Sequence, residues 1–475
     1  MARARAAVST LPRSSPTERL RDDLARSLHA ELWRSEHLSV QSSSPRAKLL
    51  LRRLRHRSFR VSAFGAIDQV CLAITHFTLT VMVARVLGID ALGKFAFLYA
   101  LIVLASMAHG ALLGESIGVS PTVVGAVERH GLQVILIPAA CLAGSLAVAV
   151  QPLSIAISQQ ALNGAPFLCA LVGCLFYWTA RSYFYKLHSP VAALSLTVTY
   201  GIGTLLSFAL LPLILKSTSL RQSYERPLLA IAIGAAATLI VAIALWSRGH
   251  YNLPLIRGKQ WLRNPDTHRV WVDVIHYGKW SLPATFLVWL ATNGYYIAMP
   301  IFGDNQGTAA LRATIMIVFP INTLITGASA AILPILSDRI RQDGLRSVKR
   351  LLHIMAGLAA VGGLVFGIVL MTNSDLVMRT IYGPDFAQYA PLLQITAILP
   401  GLWAASAVYR TGIRATRQSF NVFQVYAIAM FPVGIILMIV LSRLGPLYAA
   451  CGAVLTQVLV LLAFVWSARR IDREA

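Results

Sequence analysis

Negative charge is scarce in this chain: 19 Asp and Glu stand against 42 Lys and Arg in 475 residues, and charged residues of both signs make up only 13%. Cysteine is sparse as well. Cys71, Cys141, Cys169, Cys174 and Cys451 all fall inside apolar runs without metal-ligand spacing, which excludes a cysteine-based metal centre and leaves them as small packing residues. Nothing resembles a nucleotide-binding loop, a metal-binding helix or a hydrolytic triad. No cofactor is therefore expected and the chain is not expected to be an enzyme. The formal net charge of +23 could point to nucleic acid. The basic residues, however, cluster before the first apolar run and in alternate loops, the pattern that orients a membrane protein, so no nucleic-acid partner is expected.

What the chain does have is long apolar runs. Hydrophobic residues are 56% of the total and the mean hydropathy is +0.65, outside the usual range of water-soluble domains. Phe64 to Leu87 and Phe95 to Leu113 are each long enough to cross a bilayer core, which takes roughly 20 residues. Gly88-Ile89-Asp90-Ala91-Leu92-Gly93-Lys94 between them is long enough only for a turn, so the two helices must be antiparallel. Further runs lie near Leu132 to Val150, Ala165 to Tyr185, Val191 to Leu215, Leu228 to Trp246, Ser281 to Ile301, Ala309 to Ile335, Leu351 to Met371, Pro391 to Ile413, Asn421 to Leu441 and Pro446 to Ala468. The fold class is therefore all-α: a polytopic membrane protein of about twelve transmembrane helices.

Basic residues recur in every second loop, at Arg181 to His188, Arg248 to Arg269, Arg339 to Arg350, Arg414 and Arg417, and after the last run at Arg469, Arg470 and Arg473. The second loop and the Lys216 to Arg226 loop break the pattern. Both termini are expected in the cytoplasm. The longest loop, Ser247 to Trp280, divides the runs six and six. Gly88 to Gly93 followed by Phe95-Ala96-Phe97 has a counterpart in Gly303 to Gly307 followed by Ala309-Ala310-Leu311, an offset of about 214 residues that suggests an internal repeat. The expected organisation is a tail over 1–60, a six-helix lobe over 61–247, a central cytoplasmic loop over 248–280, a second six-helix lobe over 281–468 and a short tail over 469–475.

Residues 1–60 carry fourteen Arg or Lys against five acids. Ser15-Pro16-Thr17-Glu18 has capping-box spacing, and Leu20, Leu24, Leu28 and Leu32 follow at helical spacing. Arg46 to Arg60 interleaves five large apolar side chains with seven basic ones, as a helix resting on an anionic lipid leaflet would, although a merely solvated basic run has the same composition.

Val83-Ala84-Arg85-Val86-Leu87-Gly88 through Gly93-Lys94-Phe95-Ala96 resembles the first-hairpin pattern of the Wzx-type polysaccharide flippases, a branch of the multidrug/oligosaccharidyl-lipid/polysaccharide (MOP) exporter superfamily. Ile332-Leu333-Pro334-Ile335-Leu336-Ser337 and Ile381-Tyr382-Gly383-Pro384-Asp385-Phe386-Ala387 through Ile395 resemble later parts of the same pattern. The layout agrees from Arg60 to Arg470, whereas the basic tail departs from the family's brief N-terminus. The resemblance implies two six-helix lobes around a central cavity and translocation of a polyprenyl-diphosphate-linked oligosaccharide across the bacterial inner membrane, for lipopolysaccharide, capsule or exopolysaccharide. It further implies other polysaccharide-assembly proteins as partners. A cation-coupled small-molecule exporter of the same superfamily is the alternative, and a membrane-embedded polysaccharide polymerase or ligase is a third reading, against which the short outward loops count.

A diphosphate cargo needs forked cationic donors facing a wet interior. Arg312 lies about one turn inside an apolar run, where a central arginine costs roughly 2.5–3.5 kcal/mol, so it either faces the cavity or snorkels. Arg181, Arg410 and Arg414 sit near inner span ends, where they either bind substrate or reach headgroups. Arg85 matches the family pattern or anchors an outer span end. Asp68 and His76 are about 80° apart around one helix, a spacing that suits an ion or proton relay. The plainer readings are a solvated end residue for Asp68 and a histidine satisfied by a neighbouring helix for His76.

Overall fold

The computed structural model describes residues 45–114, 148, 164–186, 189–214, 223–245, 265–415 and 419–474. Residues 1–60 and 61–475 form separate compact units. In the first, the described part, 45–60, is helical. The short helix expected after Ser15 and, apart from residue 148, the run Leu132 to Val150 lie outside the described residues.

In chain order the helices are α1 (Pro45–His109, extended by one π turn, Gly110–Gly114), α2 (Gly164–Lys186), α3 (Pro190–Ile214), α4 (Glu225–Leu245), α5 (Pro265–Asn293) and α6 (Tyr295–Ile301). They continue as α7 (Asn305–Thr372), α8 (Ser374–Tyr382), a 3-10 turn (Pro384–Tyr389), α9 (Ala390–Thr396), α10 (Leu399–Ala415), α11 (Ser419–Ala429), a π turn (Met430–Gly434), α12 (Ile435–Arg443) and α13 (Pro446–Glu474). No strand occurs among the described residues. Where water is absent, every backbone N–H and C=O must find its partner within its own segment, which helices provide. Nine helical segments among the described residues are long and apolar enough to cross a membrane.

The turns are made with few residues. Gly88, at φ 83° and ψ −179°, is in a region that essentially only glycine occupies, and on its own it folds α1 into two antiparallel arms. Gly303 (φ 85°) begins the equivalent turn before α7. The tips of these two hairpins meet: a Cβ on Gly93 would lie 2.1 Å from the Asn305 carbonyl oxygen.

α7 also doubles back. The Tyr382 hydroxyl bonds the Ala313 carbonyl at 3.0 Å. Ala313 to Thr372 would span about 88 Å as a straight helix, while the ten residues from Thr372 to Tyr382 reach at most about 35 Å. The two antiparallel spans expected over 309–335 and 351–371 therefore both lie within α7.

Three details differ from the sequence expectation. The Ser247 to Trp280 loop is shorter than its composition suggests, because α5 begins at Pro265; its first turns mix His268, Arg269 and Asp273 with apolar residues, which hides them from a hydropathy reading. The run Ser281 to Ile301 breaks at Gly294, where the Ala291 carbonyl near the end of α5 instead accepts a hydrogen bond from Gln457 of α13. The run Pro391 to Ile413 breaks between Thr396 and Leu399, because Pro400 has no N–H to give the Thr396 carbonyl. Gly363 and Gly367, spaced G-x-x-x-G on α7, let the helix ride against this break: a Cβ on Gly367 would lie 2.0 Å from the Ala397 carbonyl oxygen.

One buried cluster joins the two halves of the chain. It includes Leu92, Phe95 and Leu98 from the first half and Leu311, Met378, Tyr382 and Phe386 from the second. These residues lie at the end of the bundle that carries Gly88, Gly303 and Gly383, while the same cluster runs on through the first half to Leu72 and Tyr183. A separate cluster around Leu352, Tyr409, Val425 and Phe464 serves the second half away from those turns. Large apolar side chains such as Ile202, Leu213, Leu358 and Val361 are exposed along the helices, as lipid contact requires.

Candidate substrate site

α2 places Trp178, Arg181 and Tyr185 on one face by its i, i+3, i+7 spacing. Asp68 of α1 is fully buried against that face. The Arg181 guanidinium donates to Asp68 Oδ2 through Nε at 2.7 Å and again through Nη2, and the Tyr185 hydroxyl donates to the same oxygen at 2.7 Å. The guanidinium carbon also lies 4.9 Å from the Trp178 ring centre and 5.5 Å from that of Tyr185. This overturns two readings at once: Asp68 is not a solvated end residue, and Arg181 neither snorkels nor offers a free fork. Partners 113 residues apart in sequence neutralise each other on neighbouring helices.

From this pair a run of aromatic rings climbs through the first half. Tyr177, one turn before Arg181, stacks on Tyr200 of α3 with centroids 4.7 Å apart, and its hydroxyl is 2.7 Å from Thr197 Oγ1. Tyr200 lies 5.8 Å from the His76 ring. His76 Nδ1 is 2.9 Å from the Tyr99 hydroxyl, so the histidine is satisfied by the neighbouring arm of its own hairpin. Asp68 and His76 thus belong to different contacts, although both lie on this run. Along α1, Asp68 is about 30 Å from Gly88 and His76 about 18 Å, so from the ion pair to the histidine the run covers about 12 Å of a bilayer core about 30 Å thick.

Its other end is Arg312 of α7, which lies 3% exposed with its guanidinium 4.7 Å from the Tyr99 ring centre and 5.6 Å from that of Tyr296. Two aromatic faces give it partial compensation. Its Nε has no hydrogen-bond partner, and among the described residues no carboxylate pairs with it. Burial at 3% exposure excludes the snorkelling reading.

The remaining candidates lie apart. Arg85 is exposed at the end of the first arm of α1, where Nε donates to the Ile381 carbonyl at 2.7 Å and Nη2 to that of Thr380. Arg410 is half-buried in α10. The side chain of Arg414 lies outside the described residues.

Sequence reasoning missed the tyrosines that link these charges. Its signal was available: Tyr99, Tyr177, Tyr200 and Tyr296 each bring a hydroxyl into an apolar run. It also assigned Arg226 to a loop. Arg226 is buried, with Nε donating to the Phe208 carbonyl at 2.7 Å, because Pro212 four residues on lacks the N–H that would have taken that carbonyl.

No family model matches the chain, and no curated protein does. Solved transporter structures do match. An inward-facing multidrug resistance MATE family transporter of the MOP superfamily is similar at TM-score 0.66 and 11% identity, over 86% of this chain and 98% of its own. An outward-facing MATE family transporter is similar at 0.59 and 13%, over 88% and 96%. The lipid II flippase MurJ, in an inward closed conformation, is similar at 0.62 and 13%, over 85% and 87%. The chain therefore has the all-α, polytopic fold of the MOP-superfamily transporters.

Proposed function

We propose that the protein moves a polyprenyl-diphosphate-linked oligosaccharide from the inner to the outer leaflet of a bacterial cytoplasmic membrane, for surface polysaccharide assembly. Two six-helix lobes alternate access to a cavity between them. Both termini lie inside, the Gly88 and Gly303 turns lie outside, and Arg46 to Arg60 rests on anionic lipid.

The observation that carries this reading is Arg312, a buried guanidinium with no carboxylate partner among the described residues and with Nε unbonded. A buried cation is costly unless paired, and a diphosphate supplies both the opposite charge and the paired acceptor oxygens a guanidinium fits. An exporter of organic cations would gain nothing from an uncompensated positive charge there. The neighbouring flippase MurJ, whose name gives it a lipid-linked cargo, has the same fold.

The test is a deletion strain together with purified protein in liposomes. Deletion should leave lipid-linked oligosaccharide on the inner leaflet. Liposomes with the protein should expose a fluorescent polyprenyl-diphosphate glycan to an external quencher, with a graded loss for Arg312→Lys and a near-complete loss for Arg312→Ala at equal protein levels. Transport of an organic cation such as ethidium, with the lipid-linked glycan left in place, would overturn the proposal.

A further inference from the structure

We infer that Arg85 is the latch that holds the Gly88, Gly303 and Gly383 end of the bundle shut, and that α8 is its strike plate. The inference rests on the alternating-access reading above and deepens it by naming the contact that must break for that end to open.

Arg85 belongs to the first half of the chain and α8 to the second. The last carbonyls of a helix have no partner within it. In α8, the Arg379 carbonyl is taken by the Gly383 N–H, and the next two, of Thr380 and Ile381, are taken by one guanidinium reaching across from α1. A cation at a helix C-terminus also meets the negative end of its dipole. The following residue, Tyr382, is 2% exposed and ties α8 to the Ala313 carbonyl, next to Arg312. A single short helix is therefore gripped from one half by Arg85 and pinned in the other at the turn that carries the unpaired cation.

Exposure gives the grip its character. The Tyr382 bond is buried and has no water to replace it, whereas Arg85 and the carbonyls it holds can be rehydrated when the halves part. A contact strong enough to bias the closed form and weak enough to release is what a gate needs. The ion pair Asp375–Arg379 on the other face of α8, 61% exposed at both side chains, stays within one helix and does not bridge the halves.

The test uses the full chain in lipid nanodiscs, with native cysteines replaced and spin labels at Asp90 and Asp375, both exposed and on opposite halves. Pulsed electron resonance reads the distance distribution between them. The parent should show mainly one short distance. Arg85→Gln, which keeps a polar chain but loses the fork and charge, should raise the ratio of long to short distances by roughly five- to thirtyfold, as loss of such a contact predicts. Arg85→Lys, with one point charge for two carbonyls, should fall between them. An unchanged distribution in Arg85→Gln would overturn the latch. The measurement needs no cargo, so failure of the lipid-linked reading in liposomes would leave this result standing, and failure of the latch would leave the cargo assay standing.

Discussion

Removing the carboxylate of Asp68 separates a structural pair from an ion-coupling site. Asp68→Asn keeps the shape of the side chain but leaves Arg181 buried with no counter-charge, at 5% exposure and between the Trp178 and Tyr185 rings. Breaking a buried ion pair from one side costs about 3–5 kcal/mol. Here all three donor bonds converge on Oδ2 while Oδ1 has no partner, so the carboxylate is incompletely satisfied in the parent and the loss should fall near the lower figure, about 3 kcal/mol. Arg181→Met should cost a similar amount for the mirror-image reason. The double variant Asp68→Leu with Arg181→Met removes both charges together and should recover most of the loss, giving a coupling of about 2–3 kcal/mol. Denaturation of the four purified proteins in one detergent measures the cycle, and export is measured in the same four. If the pair is structural, export follows stability and the double variant transports. If Asp68 carries the coupling ion, every variant without its carboxylate fails, the stable double included. Parent-like stability in Asp68→Asn would refute the argument from the buried pair altogether.

Arg226→Met should destabilise by about 1–3 kcal/mol by stranding the Phe208 carbonyl, and adding Pro212→Ala, which restores a backbone N–H at the right place, should reduce that loss in the same denaturation assay. Gly88→Ala and Gly93→Ala should both destabilise, for different reasons. The first has open space and loses about 1–3 kcal/mol to backbone strain alone, a strain that Asn should not relieve because ψ −179° lies far from the left-handed helical region Asn tolerates; the second drives a Cβ into the Asn305 backbone and should be rescued by no residue. Reporter fusions at Gly258 and Ala475 should read cytoplasm and one at Asp375 the outside; a cytoplasmic Asp375 would mean that the span count is wrong by an odd number.

The helices were legible because a span is written locally: each needs only a run of apolar residues, and Gly88 and Gly303 announce their turns by residue type. The breaks were legible only in part. Pro400 was visible as a proline within a run, but the lost bond at Thr396 is tolerated because Gly363 and Gly367, far back along the chain on α7, let that helix close over it. Gly294 gave no comparable sign, since what makes its break acceptable is Gln457 on α13. The reach of α5 back to Pro265 was hidden because polar first turns do not look like a membrane span.

The arginines set the limit of such reading, because residue type and depth were the same evidence for all of them while the partner decides what each does. Arg226 looked like a loop residue and serves a carbonyl that a proline orphaned. Arg181 looked like a substrate fork or an interfacial anchor and is spent on Asp68. Arg85 looked like an anchor and holds the end of a helix from the other half of the chain. Each of these three donates through Nε to an oxygen acceptor, and in each case the acceptor lies on another helix. Arg312 alone among these four is buried with its Nε left without an acceptor: it lies against the rings of Tyr99 and Tyr296, which ease its charge, and among the described residues no carboxylate pairs with it. On the flippase reading proposed above, a fold that settles three buried or bridging guanidinium groups with oxygen and surrounds the fourth with rings leaves that fourth group for an acceptor that comes and goes, and a diphosphate is an acceptor of the right charge and shape.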